Sequence, residues 1–335
     1  MIKKILKTIL KVILGILILL IIVMLILSRE AKPEKITYGM SFNVPYAREI
    51  NLDWKETYLA ILDDLGVRHL RLAGHWTVVE PEKDKMNFEE MDFQIIEAQK
   101  RGAEVILSVG RRLPRWPECH IPEWAERFNE EQWQAEILEY LEVMVNRYKK
   151  YDAIKYWQVE NEPFLNAFAN EHCGDLNVDF LDKEIDLVRK LDPSRKILVT
   201  DSGNLGTWFG PYRRGDAFGT SVYLYFWNPE LGRFKTLLPS AFYRAKANLM
   251  QLVLGKKETF LIELSLEPWL IKSVAEVPIE TQLDRMDLKK MREILKYAEN
   301  TRFEKQYLWG AEWWYWMKKN NHPEFWEFGK EIFKK

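Results

Sequence analysis

Two glutamates at the ends of predicted strands are the residues of this chain best placed to do chemistry. Residues 154–160 form an apolar and aromatic run that predicts a buried strand, and Pro163 stops it because proline has no backbone N–H to donate. Glu162 then lies at the carboxyl end of a strand, where parallel α/β barrels carry their active sites. General acid–base work needs a second carboxylate, and a later apolar run, Thr259–Leu264, supplies one.

The second carboxylate has two candidate positions, Glu263 and Glu267. The period-two alternation of an extended strand lets both side chains face the same side. A strand that starts at Thr259 reaches the barrel mouth near Glu263, whereas Glu267 would lie in the loop beyond it. We therefore expect Glu263 to be the partner of Glu162 and keep Glu267 as the alternative.

The motif Asn161-Glu162-Pro163, together with Phe260-Leu-Ile-Glu263-Leu, resembles the signatures of clan A glycoside hydrolases, the retaining (β/α)8-barrel enzymes. That clan carries its acid/base glutamate after strand four and its nucleophilic glutamate at the end of strand seven. The resemblance implies that Glu162 is the acid/base and Glu263 the nucleophile, with carboxyl groups about 5–5.5 Å apart. It further implies cleavage of O-glycosidic bonds, of β-linked sugars in particular, by double displacement and without a cofactor.

The resemblance covers residues 36–316 and implies further contacts with the sugar or the nucleophile. The implied substrate-binding residues are Arg71, His75, Trp76, Asn161, Tyr223 and Trp313. Arg71 would contact the nucleophile and Asn161 the sugar 2-hydroxyl, while the tryptophan would be the sugar platform. Loop packing is the alternative for His75 and Trp76, and Trp314 is the alternative to Trp313. Glu160 is expected to pair with an arginine inside the barrel.

From Ile36 onward, short apolar runs alternate with amphipathic stretches, which predicts βα units and a closed parallel (β/α)8 TIM barrel. The predicted strands are Ile36–Phe42, Val67–Leu72, Glu104–Val109, Ile154–Glu160, Lys196–Thr200, Ala217–Tyr223, Thr259–Leu264 and Gln306–Ala311. The predicted helices are Trp54–Leu65, Phe88–Arg101, Glu130–Tyr151, Val178–Leu191, Ser240–Leu254, Ile279–Asn300 and Pro323–Phe333. Only residues 203–216 separate strands five and six, so the helix there is short or missing. A dinucleotide-binding sheet is disfavoured because the sequence lacks Gly-x-Gly-x-x-Gly.

Composition narrows the partners. The chain has 335 residues with 49 basic and 50 acidic side chains, so its net charge of −1 gives no basic field for nucleic acid. An oligo- or polysaccharide is the expected partner, and fourteen tryptophans suit either a large core or sugar stacking. Two other functions remain open on the same barrel: a non-catalytic carbohydrate-binding or cell-wall scaffold protein, and a transglycosylase.

The N-terminal segment predicts a membrane anchor. Residues 8–27 are apolar except for Lys11, a length that crosses a bilayer as a helix, and further lysines precede them. The expected division is 1–28 as cytoplasmic stub and transmembrane signal anchor, 29–35 as linker, and 36–335 as catalytic domain outside the cytoplasm. A cleaved signal peptide and a buried core helix are the alternatives.

The two cysteines, Cys119 and Cys173, follow predicted strands three and four, whose loops are neighbours on one face of a barrel. An exported domain permits disulfides, so we expect a bridge between them, with two free or buried thiols as the alternative. Two cysteines and five scattered histidines show no metal-ligand spacing.

Overall fold

A parallel barrel forms the body of the protein. The computed structural model describes residues 2–29, 33–115, 118–165, 173–175, 177–228, 232–270 and 272–334. The strands in these ranges are β1 (Thr37–Ser41), β2 (His69–Ala73), β3 (Glu104–Val109), β4 (Ile154–Val159), β5 (Lys196–Asp201), β6 (Ala217–Ser221), β7 (Tyr225–Asn228), β8 (Gly232–Lys235), β9 (Glu258–Ser265) and β10 (Lys305–Trp309). All but β7 and β8 close into a ring in the order β1-β10-β9-β6-β5-β4-β3-β2, and β7 and β8 form an antiparallel hairpin. The predicted eight-stranded barrel is confirmed.

Helices surround the ring. Those in the described ranges are α1 (Ile2–Leu27), α2 (Val44–Glu49), α3 (Trp54–Asp63), α4 (Trp76–Val79), α5 (Glu89–Lys100), α6 (Glu130–Tyr148), α7 (Val178–Leu191), α8 (Phe209–Arg214), α9 (Ser240–Leu254), α10 (Ile279–Arg285), α11 (Leu288–Glu299), α12 (Ala311–Lys319) and α13 (Glu324–Phe333). Single 3-10 turns occur at Glu123–Ala125 and Val274–Glu276. Side chains that accept a backbone N–H cap several helix starts, as expected for Asn and Asp: Asn43, Asp53, Asn129, Asn177 and Asp287.

The observed elements follow the predicted ones closely. Every predicted barrel strand is present with bounds within two residues. The single helix predicted over 279–300 is two helices, because Asp287 caps a new helix by accepting the N–H of Lys290 at 2.7 Å. The short helix between strands five and six is α8. The β7–β8 hairpin and the helices α2, α4 and α12 were not predicted.

An irregularity in β9 bears directly on the site. Leu261 pairs with Thr220 of β6, but the next pair is Glu263 with Ser221, so Ile262 is an extra residue on β9. The pairing with β10 shifts at the same place. Such a β-bulge re-aims the side chain beside it. Ile262 packs in the apolar interior of the barrel, yet Glu263, the very next residue, reaches the buried Arg71.

The N-terminal segment is helical, as α1. Among the residues that the structure describes, no helix is both long and apolar enough to cross a membrane. The transmembrane span predicted over residues 8–27 is therefore not supported by the structure.

Candidate active site

Arg71 is the centre of a buried polar network at the carboxyl ends of the strands. Its Nη1 donates to Glu263 Oε1 at 2.7 Å, its Nη2 to Asn161 Oδ1 at 2.7 Å and its Nε to Gln158 Oε1 at 2.8 Å. The contacts join β2, β4 and β9 across the barrel. A buried arginine is costly unless it is paired, and Glu263 supplies the charge that offsets the cost of its burial.

Both oxygens of Glu263 are held by donors. Arg71 binds Oε1, and the hydroxyl of Tyr223, just past the end of β6, donates to Oε2 at 2.9 Å. Hydrogen bonds from a cation and a hydroxyl favour the ionised carboxylate. The structure thus brings Arg71, Asn161, Tyr223 and Glu263 together, as their predicted positions at strand ends require.

Glu162 is in a different environment. Its backbone N–H donates to Thr200 Oγ1 at 2.8 Å, and its side chain is buried, with no hydrogen-bond partner for Oε1 among the described residues. Burial raises the pKa of Glu162 well above its usual value, and the negative charges of Glu263 and Glu118 raise it further. A hydrogen bond with the Ser221 side chain opposes these effects, but the net direction favours the protonated form of Glu162. Its φ of 43° is in the left-handed region, a local strain common at functional sites.

Glu160 is not paired with an arginine side chain in the described structure, contrary to expectation. The strand ends one residue earlier, and Glu160 has a φ of 58°. Its carboxylate instead accepts the backbone N–H groups of Arg111 and Arg112, each at 2.7 Å. A Cβ on Gly110 would lie 2.3 Å from Glu160 Oε1, so this close approach of the β3 loop requires glycine. Glu160 thus fixes the β3 loop to the β4 loop.

Glu267, the alternative second carboxylate, belongs to a separate buried cluster. Arg115 Nη2 pairs with Glu267 Oε1 at 2.5 Å, and the same guanidinium lies over the rings of Tyr46 and Trp309, at 3.1 and 5.3 Å from their centroids. Burial raises the pKa of Glu267, while Arg115 opposes the shift. Glu263, and not Glu267, is the glutamate joined to Arg71.

His75 and Trp76 lie inside the protein. His75 is buried with its Nε2 at 3.2 Å from Asn43 Nδ2, and burial, with a smaller effect of His120, lowers its pKa to about 3. The indole of Trp76 is fully buried and donates to Glu80 Oε2 at 2.8 Å. The packing alternative holds for Trp76, because a ring without accessible surface cannot stack on a sugar.

Trp313 and Trp314 are also fully buried, which corrects the predicted platform. Both lie on α12; the indole of Trp313 donates to Gln282 Oε1 at 2.7 Å, and that of Trp314 to the Leu266 carbonyl at 2.8 Å. The predicted strand ran two residues too far, to Ala311. Gly310, with a φ of 123°, ends it and starts α12, so the aromatic residue at the strand end is Trp309.

Trp309 is half-buried, and its ring meets those of Tyr223 and Trp269 edge-on, each at 6.4 Å between centroids. It is therefore next to the tyrosine that binds Glu263. The signal that identifies it in the sequence is the glycine that follows the apolar run.

Glu118 is a third carboxylate of the site that the sequence did not reveal. It lies in the β3 loop, pairs with Arg112 Nε at 2.5 Å and faces Glu162 and Glu263 closely enough for its charge to act on them. Burial raises its pKa. The adjacent Cys119 forms a disulfide with Cys173, with 5.3 Å between Cα atoms, so the bridge ties the Glu118 loop to the loop after β4.

The arrangement suits acid–base chemistry with a nucleophile. One carboxylate, Glu263, accepts hydrogen bonds from Arg71 and Tyr223, and burial raises the pKa of the other, Glu162; carboxyl pairs that divide the roles of nucleophile and acid need such different environments. Within the described ranges, no group of three or more His, Cys, Asp and Glu side chains is arranged to hold a metal ion.

Comparison with known proteins agrees with this architecture. A family profile described as β-galactosidase, Glyco_hydro_42, matches residues 49–194, which include Arg71, Asn161 and Glu162. None of the curated proteins compared with the chain matches it.

Solved structures share the fold. GH5_18 from Bifidobacterium longum subsp. longum superposes with a TM-score of 0.57 at 15% identity, over 82% of this chain and 70% of that one. A GH5_18 variant from Streptomyces cattleya in complex with Manb1-4GlcNAc superposes with a TM-score of 0.55 at 14% identity, over 82% of this chain and 71% of that one. A β-galactosidase from Halorubrum lacusprofundi superposes with a TM-score of 0.53 at 14% identity, over 82% of this chain and 52% of that one. At such identities the likeness concerns the fold.

Proposed function

We propose that this chain is a retaining clan A glycosidase that cleaves β-linked sugars, a proposal supported by its parallel barrel and by the family match over residues 49–194. The observation that carries the proposal is the asymmetry of the two carboxyl groups. Glu263 is bound by Arg71 and Tyr223, which stabilise its negative charge, whereas Glu162 is buried without a donor to its Oε1 among the described residues. One group is prepared to attack and the other to give a proton.

In the first step, a carboxylate oxygen of Glu263 attacks the anomeric carbon and forms an ester bond to the sugar. The bond between that carbon and the leaving oxygen breaks, and Glu162 gives its proton to this oxygen. In the second step, Glu162, now ionised, takes a proton from water while the water oxygen attacks the same carbon. The ester breaks, Glu263 is again a carboxylate, and the configuration at the anomeric carbon is retained.

Neighbouring residues assist the reaction. Oδ1 of Asn161 accepts from Arg71, which leaves its amide N–H groups to face a bound sugar and donate to the 2-hydroxyl. Trp309 takes the platform position at the end of β10. The β-linkage is supported by the β-galactosidase family match and by the Manb1-4GlcNAc held in the Streptomyces cattleya structure.

A trapping experiment tests the assignment. The full chain is incubated with a 2-fluoro glycoside that carries an activated leaving group, and the labelled peptide is identified by mass spectrometry. We expect the label on Glu263. A Glu162→Gln variant should still be labelled by the activated reagent but should lose most hydrolysis of poor leaving groups, by about 10²- to 10⁴-fold, because only those need the acid.

Label on Glu267 would overturn the choice of nucleophile. Equal losses on activated and poor leaving groups in Glu162→Gln would overturn its role as the acid. Absence of any label or turnover with a broad set of glycosides would favour the non-catalytic alternative.

We also propose that α1 attaches the catalytic domain to a membrane, with the domain outside the cytoplasm. Many apolar side chains of α1 are exposed, among them Leu6, Leu10, Leu14 and Leu19. Extended exposed apolar surfaces mark sites that contact a membrane or another protein. The Cys119–Cys173 disulfide supports an oxidising surrounding.

A further inference from the structure

The β7–β8 hairpin is an addition to the barrel, inserted between β6 and α9, and its two faces differ. One face is fastened to the helices beside it. Tyr225 and Lys235 both bind the carboxylate of Glu293 on α11, and the guanidinium of Arg285 lies 4.0 Å from the centre of the Trp227 ring. These contacts fix the hairpin against α10 and α11.

The opposite face carries aromatic rings. Phe226 and Phe234 are direct cross-strand partners, and their rings stack at 5.3 Å between centroids with 11° between planes. Phe234 is 42% exposed. Since strand side chains alternate between faces, the anchoring of Tyr225 and Trp227 leaves Phe226 on the free side.

This free face continues into the active site. The Phe226 ring lies 6.0 Å from that of Tyr223 and 6.5 Å from that of Trp269. The Tyr223 and Trp269 rings are 5.4 Å apart, and Tyr223 donates to Glu263. A band of rings therefore runs from the nucleophile position to the outer edge of the hairpin.

We infer that the surface formed by Phe226, Phe234 and Trp269 binds additional sugar units of an oligosaccharide whose reacting bond lies at Glu263. The inference rests on the proposed function and narrows the substrate to chains longer than a disaccharide. Flat rings suit the C–H faces of pyranoses. Because the hairpin face continues from Tyr223, a chain that leaves the catalytic centre on this side passes over the rings.

The features of the surface favour a sugar chain over a protein partner. The rings follow one another from Tyr223 through Trp269 and Phe226 to Phe234, with 5.3–6.5 Å between neighbouring ring centroids. A charged group borders the band at Trp269, whose carbonyl accepts a hydrogen bond from Arg285 Nη1 at 2.6 Å. An aromatic strip with a polar border is typical of ligand clefts.

The test measures length dependence in binding and in turnover. Affinities of unbranched β-1,4-linked gluco-, manno- and galacto-oligosaccharides of two and five units are measured by calorimetry on the full chain carrying Glu162→Gln. The same measurements follow with Phe234→Ala or Trp269→Ala added. Hydrolysis of each substrate is measured with the corresponding chains that retain Glu162.

We expect the pentasaccharide to bind better than the disaccharide, and each alanine variant to weaken pentasaccharide binding by about tenfold, with a smaller effect on the disaccharide. Phe234→Tyr keeps a flat ring and should retain the preference for length. Leu237→Ala is the control, because this neighbouring side chain is 99% exposed and lies outside the band.

The inference would be overturned if the alanine variants weakened disaccharide and pentasaccharide binding equally and Phe234→Tyr behaved like Phe234→Ala. It would also be overturned if the parent bound the disaccharide and the pentasaccharide with equal affinity. Length-dependent binding without hydrolysis in any wild-type assay would overturn the proposed function and leave the surface assignment standing. Near-ultraviolet circular dichroism shows that each variant is folded.

Discussion

Arg71 and Tyr223 give Glu263 an environment different from that of Glu162, although both are glutamates at the ends of predicted strands. Arg71 and Tyr223 each donate to a Glu263 oxygen, whereas Glu162 is buried and has no donor to its Oε1 among the described residues. The negative charge of Glu263 in turn raises the pKa of Glu162, so it favours the protonated form of Glu162 that the proposed mechanism requires. In the proposed mechanism, formation of the ester removes that charge and lowers the pKa of Glu162, which suits its change from acid in the first step to base in the second.

A second buried carboxyl gives a prediction on stability at the residue scale. Glu312 Oε1 accepts the Asn43 N–H at 2.7 Å, and burial, with Glu267 adding and Arg115 opposing, raises the pKa of Glu312 from 4.5 to about 7. A raised carboxyl pKa stabilises the folded protein below the unfolded pKa, and this contribution is lost as pH rises through the folded pKa. The loss falls between about pH 4.5 and 7.

Glu312→Gln keeps the acceptor for Asn43 but cannot ionise. We therefore expect its free energy of unfolding to fall less than that of the parent as the pH rises through this range, with a difference on the order of 3 kcal/mol at pH 8. Urea unfolding at several pH values measures the difference. Curves that stay parallel from pH 4 to 8 would show that Glu312 titrates normally. Glu142→Gln is a control with no expected change, because Glu142 is exposed and forms no side-chain hydrogen bond or ion pair in the described structure.

Residues at strand ends could be predicted, and residues in loops could not. Arg71, Asn161, Tyr223 and the two glutamates were placed because a strand fixes which side chains reach the barrel mouth. Trp309 was missed since the strand boundary was misplaced by two residues, within a run of aromatic residues that suits strand and helix alike. Glu118 was missed because its position depends on a loop that the disulfide from Cys119 ties to Cys173, 54 residues away in sequence.

At the scale of elements, the bulge in β9 and the β7–β8 hairpin shape the site. Alternation predicts that Ile262 and Glu263 face opposite sides, yet both face inward, and only pairing with both neighbouring strands reveals the extra residue. The hairpin had no Asn-Gly or Asp-Gly signal to mark it. Both features arise from contacts between elements and not from local sequence.

The disulfide gives the prediction for the elements. It links the β3 and β4 loops across 54 residues of sequence, a loop for which chain entropy gives a stabilisation of about 4 kcal/mol. We expect Cys119→Ser to lower the free energy of unfolding by up to this amount and to raise KM, because Glu118 would no longer be held beside Glu162. Denaturant unfolding and steady-state kinetics measure the two effects.

Cys173→Ser should give the same values, and a double variant should add nothing, since either change removes the same bond. Identical unfolding of the parent with and without reductant would contradict the role of the bridge.

For the whole molecule, the alternation of apolar runs with amphipathic stretches was enough to predict the barrel. The N-terminal helix is separate from it in structural terms, because α1 takes no part in the ring. Polar contacts with α9 hold the chain where this helix ends: Asn248 donates to the Leu27 carbonyl at 2.6 Å and Arg244 to the Ser28 carbonyl at 2.9 Å.

We therefore expect a chain without Met1–Leu27 to fold and to keep the circular dichroism spectrum of the parent, while it moves from the membrane fraction to the soluble fraction on centrifugation. Loss of a few contacts on α9 should cost at most about 1–3 kcal/mol. A truncated chain that aggregates would show that the helix belongs to the core. A full chain that is wholly soluble would contradict membrane attachment.

The ring closes between β1 and β10, where Gly39 pairs with Tyr307 and Met40 with Leu308. The first barrel strand, β1, can pair with β10 only after β10 has been synthesised. A nascent sheet that lacks residues 305–309 therefore exposes two edges without a hydrogen-bonded neighbour. Glu162 and Glu263 are already synthesised by then, but they have no closed wall around them. Residues 305–309 must therefore be synthesised before the wall around this site can close.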